Sequence, residues 1–548
     1  MRSRVAIVGG GSSGVIAAKI LAESGFTDIV CFERRDAIGG LWHFTDKKPQ
    51  WIDEGRVNKG TVLNTSKEIM ALSDFPMPEN YPNFSHHTLV DEYLNSYAKH
   101  FEIYKYVKLN AEVASVKQHG TFESTGRWEV AWRDVTSDDS VVEIFDFVLI
   151  ANGWVTCPKV PNFPGLENFK GKTIHSKEFT NSAEFSGMKC CVVGLGNSSV
   201  DVAMELSSCS TCRVVMSLRR GLWIQNRLGL AGKPYDHLLH SRFRWFVYSL
   251  LPRNVRLYLW RRKFNATVDH EVFGLSPPEQ PDASHPIVFD DLPHKIACGR
   301  IRIKPNIRKF TRTGIVFEDG SFEDNVDLVV FATGYTLSMP FFKDSNVMEL
   351  RESDLKLYKH MWVPGLSQQT LAFVGSTRPL GASFPTAELQ ARLVARVFKG
   401  EMQLPSEEEM RKDIARFKKD LEGRYVGAVG YSNRVDYLPH LDELAGQVGC
   451  KPNLVRYLLF DPVLFWHLMF GPGVSYQYRL DGPHTWPGAR KAILTVTDRT
   501  CKSFGTFKAT KTTSKEIGLS STKINIWYLW LMMCFLLTGL SYAMASAF

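Results

Sequence analysis

Val5–Gly25 reads VAIVGGGSSGVIAAKILAESG. Four apolar residues run into Gly9, Gly10, Gly11, Ser12, Ser13 and Gly14, and a stretch of small and apolar residues follows. Strand, glycine turn and helix in that order predict a βαβ unit built to hold a dinucleotide. Gly9 allows the tight turn, Gly11 lets backbone N–H groups approach a pyrophosphate, and Gly14 permits close packing of helix on strand. The next strand, DIVCFERR, reaches Glu33, 24 residues after Gly9. A carboxylate there accepts hydrogen bonds from both hydroxyls of an adenosine ribose, which suits FAD or NAD and repels a 2′-phosphate. AIGGLW at Ala37–Trp42 adds Gly40, Leu41 and Trp42, spaced to pack along the same dinucleotide.

The pattern recurs in KCCVVGLGNSSVDVAMEL, which starts at Lys189. Gly194, Gly196, Asn197, Ser198, Ser199 and Asp201 carry the turn and the start of its helix. Ser199 stands where the third glycine belongs, so packing there must accommodate a hydroxymethyl group. The following strand, RVVMSLRRG, ends on Ser217, Arg219 and Arg220 instead of an acid. Guanidinium groups at that place answer a 2′-phosphate and select NADPH over NADH. One acid-tipped turn for FAD and one basic-tipped turn for NADPH allow a hydride to pass from nicotinamide to flavin.

Between the two turns lies FKGKTIHSKEF, Phe169–Phe179, with Phe, Gly, His and Phe at fixed offsets. Gly171 suits a special backbone conformation, and His175 beside Thr173 and Ser176 suits a hydrogen-bonded crossing of the chain. This FxGxxxHxxxF stretch resembles the signature of the class B flavoprotein monooxygenases. The terminal Phe179 is similar to that of the flavin-containing monooxygenases of the membrane-bound animal type, in place of the tryptophan of Baeyer–Villiger enzymes. LNTSKEIMALSDFPMP at Leu63–Pro78, FATGY at Phe331–Tyr335 and a charge-free C-terminal run agree with it.

The resemblance implies an NADPH- and O2-dependent enzyme that forms a C4a-hydroperoxyflavin and oxygenates soft nitrogen or sulfur atoms of small lipophilic molecules. It implies Asn64 as the active-site amide near flavin N5 and the nicotinamide ribose, flanked by Leu63 and Thr65, and His175 as a tie between the two dinucleotide domains. Arg378 departs from the pattern, because an uncharged amide is usual there beside the flavin. Baeyer–Villiger oxygenation of ketones and an uncoupled NADPH oxidase stay open as alternatives. A flavin disulfide reductase needs a CxxC against the isoalloxazine, and Cys209–Cys212 lies in the wrong unit, where it reads as small residues before a strand.

The fold expected is α/β, with two Rossmann-like dinucleotide-binding domains, the FAD domain being split by an inserted NADPH domain, plus a C-terminal transmembrane helix. The expected boundaries are 1–163 and 331–445 for the FAD domain and 164–330 for the NADPH domain, with a helical insertion at about 225–300. Residues 446–499 read as a helical, membrane-proximal region, 500–523 as a linker and 524–545 as the anchor. At 548 residues, 44% apolar and 22% charged, the chain has length and composition for several full cores. Its net charge of +9 comes without a dense Lys/Arg block, which argues against nucleic acid and suits phosphorylated cofactors or an anionic membrane. Ten scattered cysteines favour a reducing compartment, and no metal-ligand spacing stands out.

MRSRVAIVGGG is too short in apolar residues for a signal peptide. From Ile524 to Phe548 no residue is charged, enough for a span of about 20 residues, with Trp527, Tyr528 and Trp530 at one interface. Lys515 and Lys523 precede it, so the catalytic body is expected in the cytosol, and the resemblance places the anchor in the endoplasmic reticulum membrane. Association into homo-oligomers is left open. Two stretches, Arg242–Phe264 and Leu454–Phe470, suit the headgroup plane, a core or a tunnel wall alike.

Overall fold

A computed structural model describes residues 3–46, 50–51, 53–283, 286–345, 347, 356–424 and 433–504. Two five-stranded parallel sheets organise them. The first runs Leu371–Phe373, Phe147–Ile150, Arg4–Val8, Asp28–Phe32, Val107–Lys108 in spatial order. Its central strand is a continuous apolar run because helices and a second layer cover both faces. Helix Ser12–Glu23 packs on helix Ser383–Phe398, which closes one of those faces.

The second sheet runs Ile301–Lys304, Arg213–Ser217, Lys189–Val193, Leu328–Phe331, Lys172–His175. In each sheet the strand that feeds a glycine turn has its chain-successor on one side and a much later strand on the other. That reversal leaves a crevice outside the carboxyl ends, where open parallel sheets hold ligands. Leu371–Phe373 returns to the first sheet after every strand of the second has been laid down. The coarse expectation of an α/β chain with parallel sheets therefore holds.

Segment 225–300 carries the helices Tyr235–Leu239, Arg242–Leu250, Arg253–Thr267 and Leu292–Ala297. Leu454–Phe460 and Pro462–Phe470 are also helical. Phe243, Phe246, Leu250, Tyr258, Leu459 and Phe460 on these helices are exposed while Phe264, Leu464 and Leu468 are buried, so each stretch is partly core and partly surface. Among the described residues no helix is long and apolar enough to cross a membrane; the expected anchor at 524–545 and most of the linker lie outside them.

A buried charge cluster ties remote parts of the chain together. Arg479, 1% exposed, donates from Nη1 to Glu23 Oε1 at 2.9 Å and from Nη2 to Glu388 Oε1 at 3.0 Å. Its Nη2 also lies 3.0 Å from Asp74 Oδ2, and its Nε donates to Ser73 Oγ at 2.6 Å. Three carboxylates saturating one guanidinium hold it protonated, overcoming the opposing cost of burial.

Candidate functional site

The carboxyl ends of both sheets open onto one cleft of about 1100 Å³, large for a single small ligand. Gly9, Gly11, Ser12, Ser13, Glu33, Gly40, Leu41 and Trp42 line one part of it. Gly194, Gly196, Asn197, Ser198, Asp201, Ser217, Arg219 and Arg220 line another, and Arg378 lies on its wall. Gly10, Gly14, Leu63, Asn64, Thr65 and Ser199 are not among the residues that line it.

The two glycine turns share a construction. Gly9 has φ +106°, and a Cβ there would sit 2.9 Å from the carbonyl oxygen of Ala151, just past the neighbouring strand. Gly194 has φ +144°, and a Cβ would collide with the carbonyl of Ala332, again just past the neighbouring strand. Only glycine satisfies both the backbone conformation and the close approach. The third positions differ. A Cβ on Gly14 would collide with Gly9 O, whereas Ser199 is fully buried and its Oγ donates to Gly196 O at 2.6 Å. The second turn thus seats the hydroxymethyl group by turning it onto its own backbone.

Glu33 is 6% exposed. Its Oε2 accepts the Gly10 N–H at 2.8 Å and its Oε1 the Arg35 N–H at 2.9 Å, leaving each oxygen a second lone pair towards the cleft. Burial pushes its carboxyl up, and those two N–H groups together with Arg34 and Arg35 pull it back. The spacing of the motif does not mark the two arginines as parts of this pocket. They differ in pairing: Arg34 is paired with Asp53 at 2.7 Å, whereas Arg35 donates to the carbonyls of Gly40 and His43, which orients its guanidinium without neutralising it.

At the other end Arg219 is exposed and lines the cleft, while Arg220 is paired with Glu279. The two arginines, equivalent by sequence position, are therefore unequal. Ser217 Oγ donates to Pro305 O at 2.9 Å, so its hydroxyl meets a ligand as an acceptor. Asp201, beside them, has its carboxyl pushed up to about 7 by burial, helped by Glu205 and opposed by Arg227.

Arg227 is the main site residue that no sequence signal marks. Its Nη2 donates to Asn64 Oδ1 at 2.8 Å and its Nε to Leu63 O at 3.2 Å, while Nη1 lies 3.4 Å from Asp290 Oδ2. A guanidinium only donates, so it fixes the Asn64 amide with oxygen inward and its NH2 directed elsewhere. The turn is held again two residues on: Ser66 N–H donates to the buried Asp236 at 2.6 Å, and His237 Nε2 lies 3.1 Å from Ser66 Oγ.

Arg378 stacks over the Trp154 ring, its guanidinium carbon 4.1 Å from the centroid. His175 Nε2 donates to Gly334 O at 3.2 Å and Nδ1 accepts the Lys177 N–H at 3.3 Å, which fixes a neutral tautomer. Burial lowers its pKa in the same sense. Gly171 is needed for a different reason than a special backbone angle: its φ is not positive, and a Cβ would strike the Phe169 ring and the Val326 carbonyl.

Both turns fit a dinucleotide. Gly196 faces open space, and Asn152 Oδ1, in the cleft wall, is buried without a hydrogen-bond partner, an acceptor that a ligand donor would complete.

Residues 2–540 match the family model described as FMO-like, flavin-binding monooxygenase-like. Flavin-containing monooxygenase 5 of Cavia porcellus is 40% identical over 100% of this chain and 99% of its own length. Dimethylaniline monooxygenase [N-oxide-forming] 2 of Cavia porcellus is 41% identical over 92% of this chain and 94% of its own. Among solved structures, S-allyl-L-cysteine S-oxygenase from Allium sativum superimposes with a TM-score of 0.60 at 23% identity, covering 83% of this chain and 91% of that one. Cyclohexanone monooxygenase from Rhodococcus sp. Phi1 bound to NADP+ gives 0.58 at 18%, covering 81% and 97%; at such identities the likeness is one of fold. This chain belongs to the flavin-binding monooxygenase-like family and is an NADPH-dependent flavin monooxygenase that uses FAD.

Proposed function

We propose that FAD lies along Gly9–Gly14 with its ribose on Glu33, and NADPH along Gly194–Ser199 with its 2′-phosphate on Arg219. In this reading 1–163 and 331–445 form the flavin domain and 164–330 the nicotinamide domain. The observation that carries it is the single cleft joining two glycine turns, one ending on a buried acid and the other on an exposed arginine. The bound cofactors supply the electrons and the activation of dioxygen. The protein's own part is to exclude water and hold polar groups in place. Asn64, its oxygen held by Arg227, is the neutral amide this reading assigns to the flavin, and His175 keeps the crossing segment on Gly334 without adding charge.

The substrate reading is oxygen transfer to a soft nitrogen or sulfur atom of a small lipophilic molecule, in line with relatives named for N-oxide formation. Arg378 on Trp154 favours a second reading, since a cation on the cleft wall can polarise a ketone carbonyl for Baeyer–Villiger insertion. Aerobic incubation with NADPH and a molecule carrying both a thioether and a ketone, followed by mass and fragmentation analysis, separates them. Sulfoxide supports the first reading, ester the second, and neither product with steady peroxide release rejects both. The charge-free run 524–548 supports a membrane anchor, the lysines before it support a cytosolic catalytic body, and the family resemblance supports the endoplasmic reticulum as the membrane.

A further inference from the structure

Helix Asn197–Ser208 ends where strand Arg213–Ser217 begins, and the connection is the turn Cys209-Ser-Thr-Cys212. The Cys212 N–H closes it on the Cys209 carbonyl at 3.3 Å. A β-turn keeps its end Cα atoms within about 7 Å, and a disulfide spans about 4.4–6.8 Å, so the backbone spacing of such a turn is compatible with joining these residues.

The surroundings of the two sulfurs are opposite in character. Cys209 is half-buried, with Sγ 3.3 Å from Thr211 Oγ1 and 3.8 Å from Ser186 Oγ. Those hydroxyls are 3.0 Å apart, and Thr211 Oγ1 already accepts the Gly187 N–H at 2.9 Å. Two hydroxyl protons serve this triangle, so one bonds the hydroxyls together and the other is available to sulfur. The end of a helix would ordinarily repel a thiolate. Here the Arg300 guanidinium covers it, donating to the carbonyls of Ser207 at 3.0 Å, Cys209 at 2.6 Å and Ser210 at 3.2 Å. Cys212 is buried, donating to Phe185 O at 3.1 Å, with buried Cys190 near it.

We propose that Cys209 and Cys212 form a peroxide-responsive dithiol, a reversible modification site apart from the cofactor cleft. The Cys209 thiolate attacks one oxygen of hydrogen peroxide: an S–O bond forms, the O–O bond breaks, and hydroxide leaves and is protonated to water. Cys212 gives up its proton and attacks the Cys209 sulfur, forming S–S and releasing the second oxygen as water. Two thiols lose two electrons and one peroxide becomes two waters. The hydroxyls of Thr211 and Ser186 hold the Cys209 thiol down to about 6, so most of it is thiolate at neutral pH.

The test is made on the reduced full chain with stoichiometric hydrogen peroxide, followed by alkylation and fragment-level mass mapping. The expected result is a loss of two hydrogens located between Cys209 and Cys212 and restored by dithiothreitol. Cys212→Ser should leave Cys209 as a sulfenic acid trapped by dimedone, and Cys209→Ser should abolish both signals. Without mutation, iodoacetamide at pH 7 should label Cys209 about tenfold faster than the more exposed Cys298 and Cys501. The proposal falls if Cys209 labels no faster than those two, or if peroxide leaves the pair reduced while they oxidise.

Discussion

Arg227 Nη2 donates to Asn64 Oδ1 at 2.8 Å across 163 residues of chain. The contact makes the orientation of one amide depend on a segment that follows the second glycine turn. Arg227→Met frees that amide to rotate. The expected outcome is normal flavin content, near-normal reduction by NADPH, and product per NADPH lowered by about an order of magnitude as peroxide rises, since small misplacements cost up to about 100-fold. Asn64→Asp should uncouple at least as strongly, because a carboxylate accepts from Arg227 but has no proton to give. Parallel assays of product, peroxide and NADPH check both; an unchanged coupling ratio in Arg227→Met would remove its positioning role.

Arg219 and Arg220 should separate on mutation. Arg219→Ala is expected to weaken NADPH binding by about 10–100-fold while leaving NADH nearly untouched, the scale of a lost charge-assisted bond. Arg220→Ala should do less, because its charge is already shared with Glu279. Glu279→Gln should tighten NADPH. Anaerobic titrations with both coenzymes measure all three.

Asp201 predicts a pH dependence of stability. Its carboxyl, raised by burial to about 7, keeps a proton in the folded state that the unfolded chain loses near pH 4. The folded state therefore loses ground as pH rises from about 4 to 7 and no further above that. Asp201→Asn should abolish this component. Its stability relative to the native chain should grow by about 1 kcal/mol between pH 5.5 and 8.5, after allowance for partial solvent screening. Denaturant titrations at the two pH values read it directly.

Arg479→Met should cost about 3–5 kcal/mol, because buried Glu388 would lose its cation and Glu23 and Asp74 would be left to share Lys19. Arg416→Ala, which breaks an ion pair whose arginine is 72% exposed, should change stability by less than about 0.5 kcal/mol. Similar effects from the two would contradict the importance assigned to the buried cluster.

Much of the fold and of the cleft is legible in the order of the amino acids. Gly9, Gly194, Glu33 and Arg219 announce themselves through spacing, because a dinucleotide fold places its ligands at fixed offsets within one short unit. What the spacing hides depends on distant partners. Arg227 follows no period, and only folding brings it to Asn64. Glu279, which pairs with Arg220, is 59 residues away from it. Gly171 is recognisable as necessary, but its reason, the Phe169 ring and the Val326 carbonyl, is a packing fact. The CxxC looks inert as a motif because, apart from its own Thr211, the groups set around Cys209 are Ser186 and Arg300, neither of them within it.

The late return of Leu371–Phe373 bears on how the chain is made. Until those residues leave the ribosome, Phe147–Ile150 carries an unpaired edge on the side they will occupy. At about 5–20 residues per second that wait lasts on the order of ten to forty seconds, during which a bare parallel edge can recruit the wrong neighbour. Nascent chains halted after the second sheet but before Leu371 should bind chaperones strongly and release them once the strand is added.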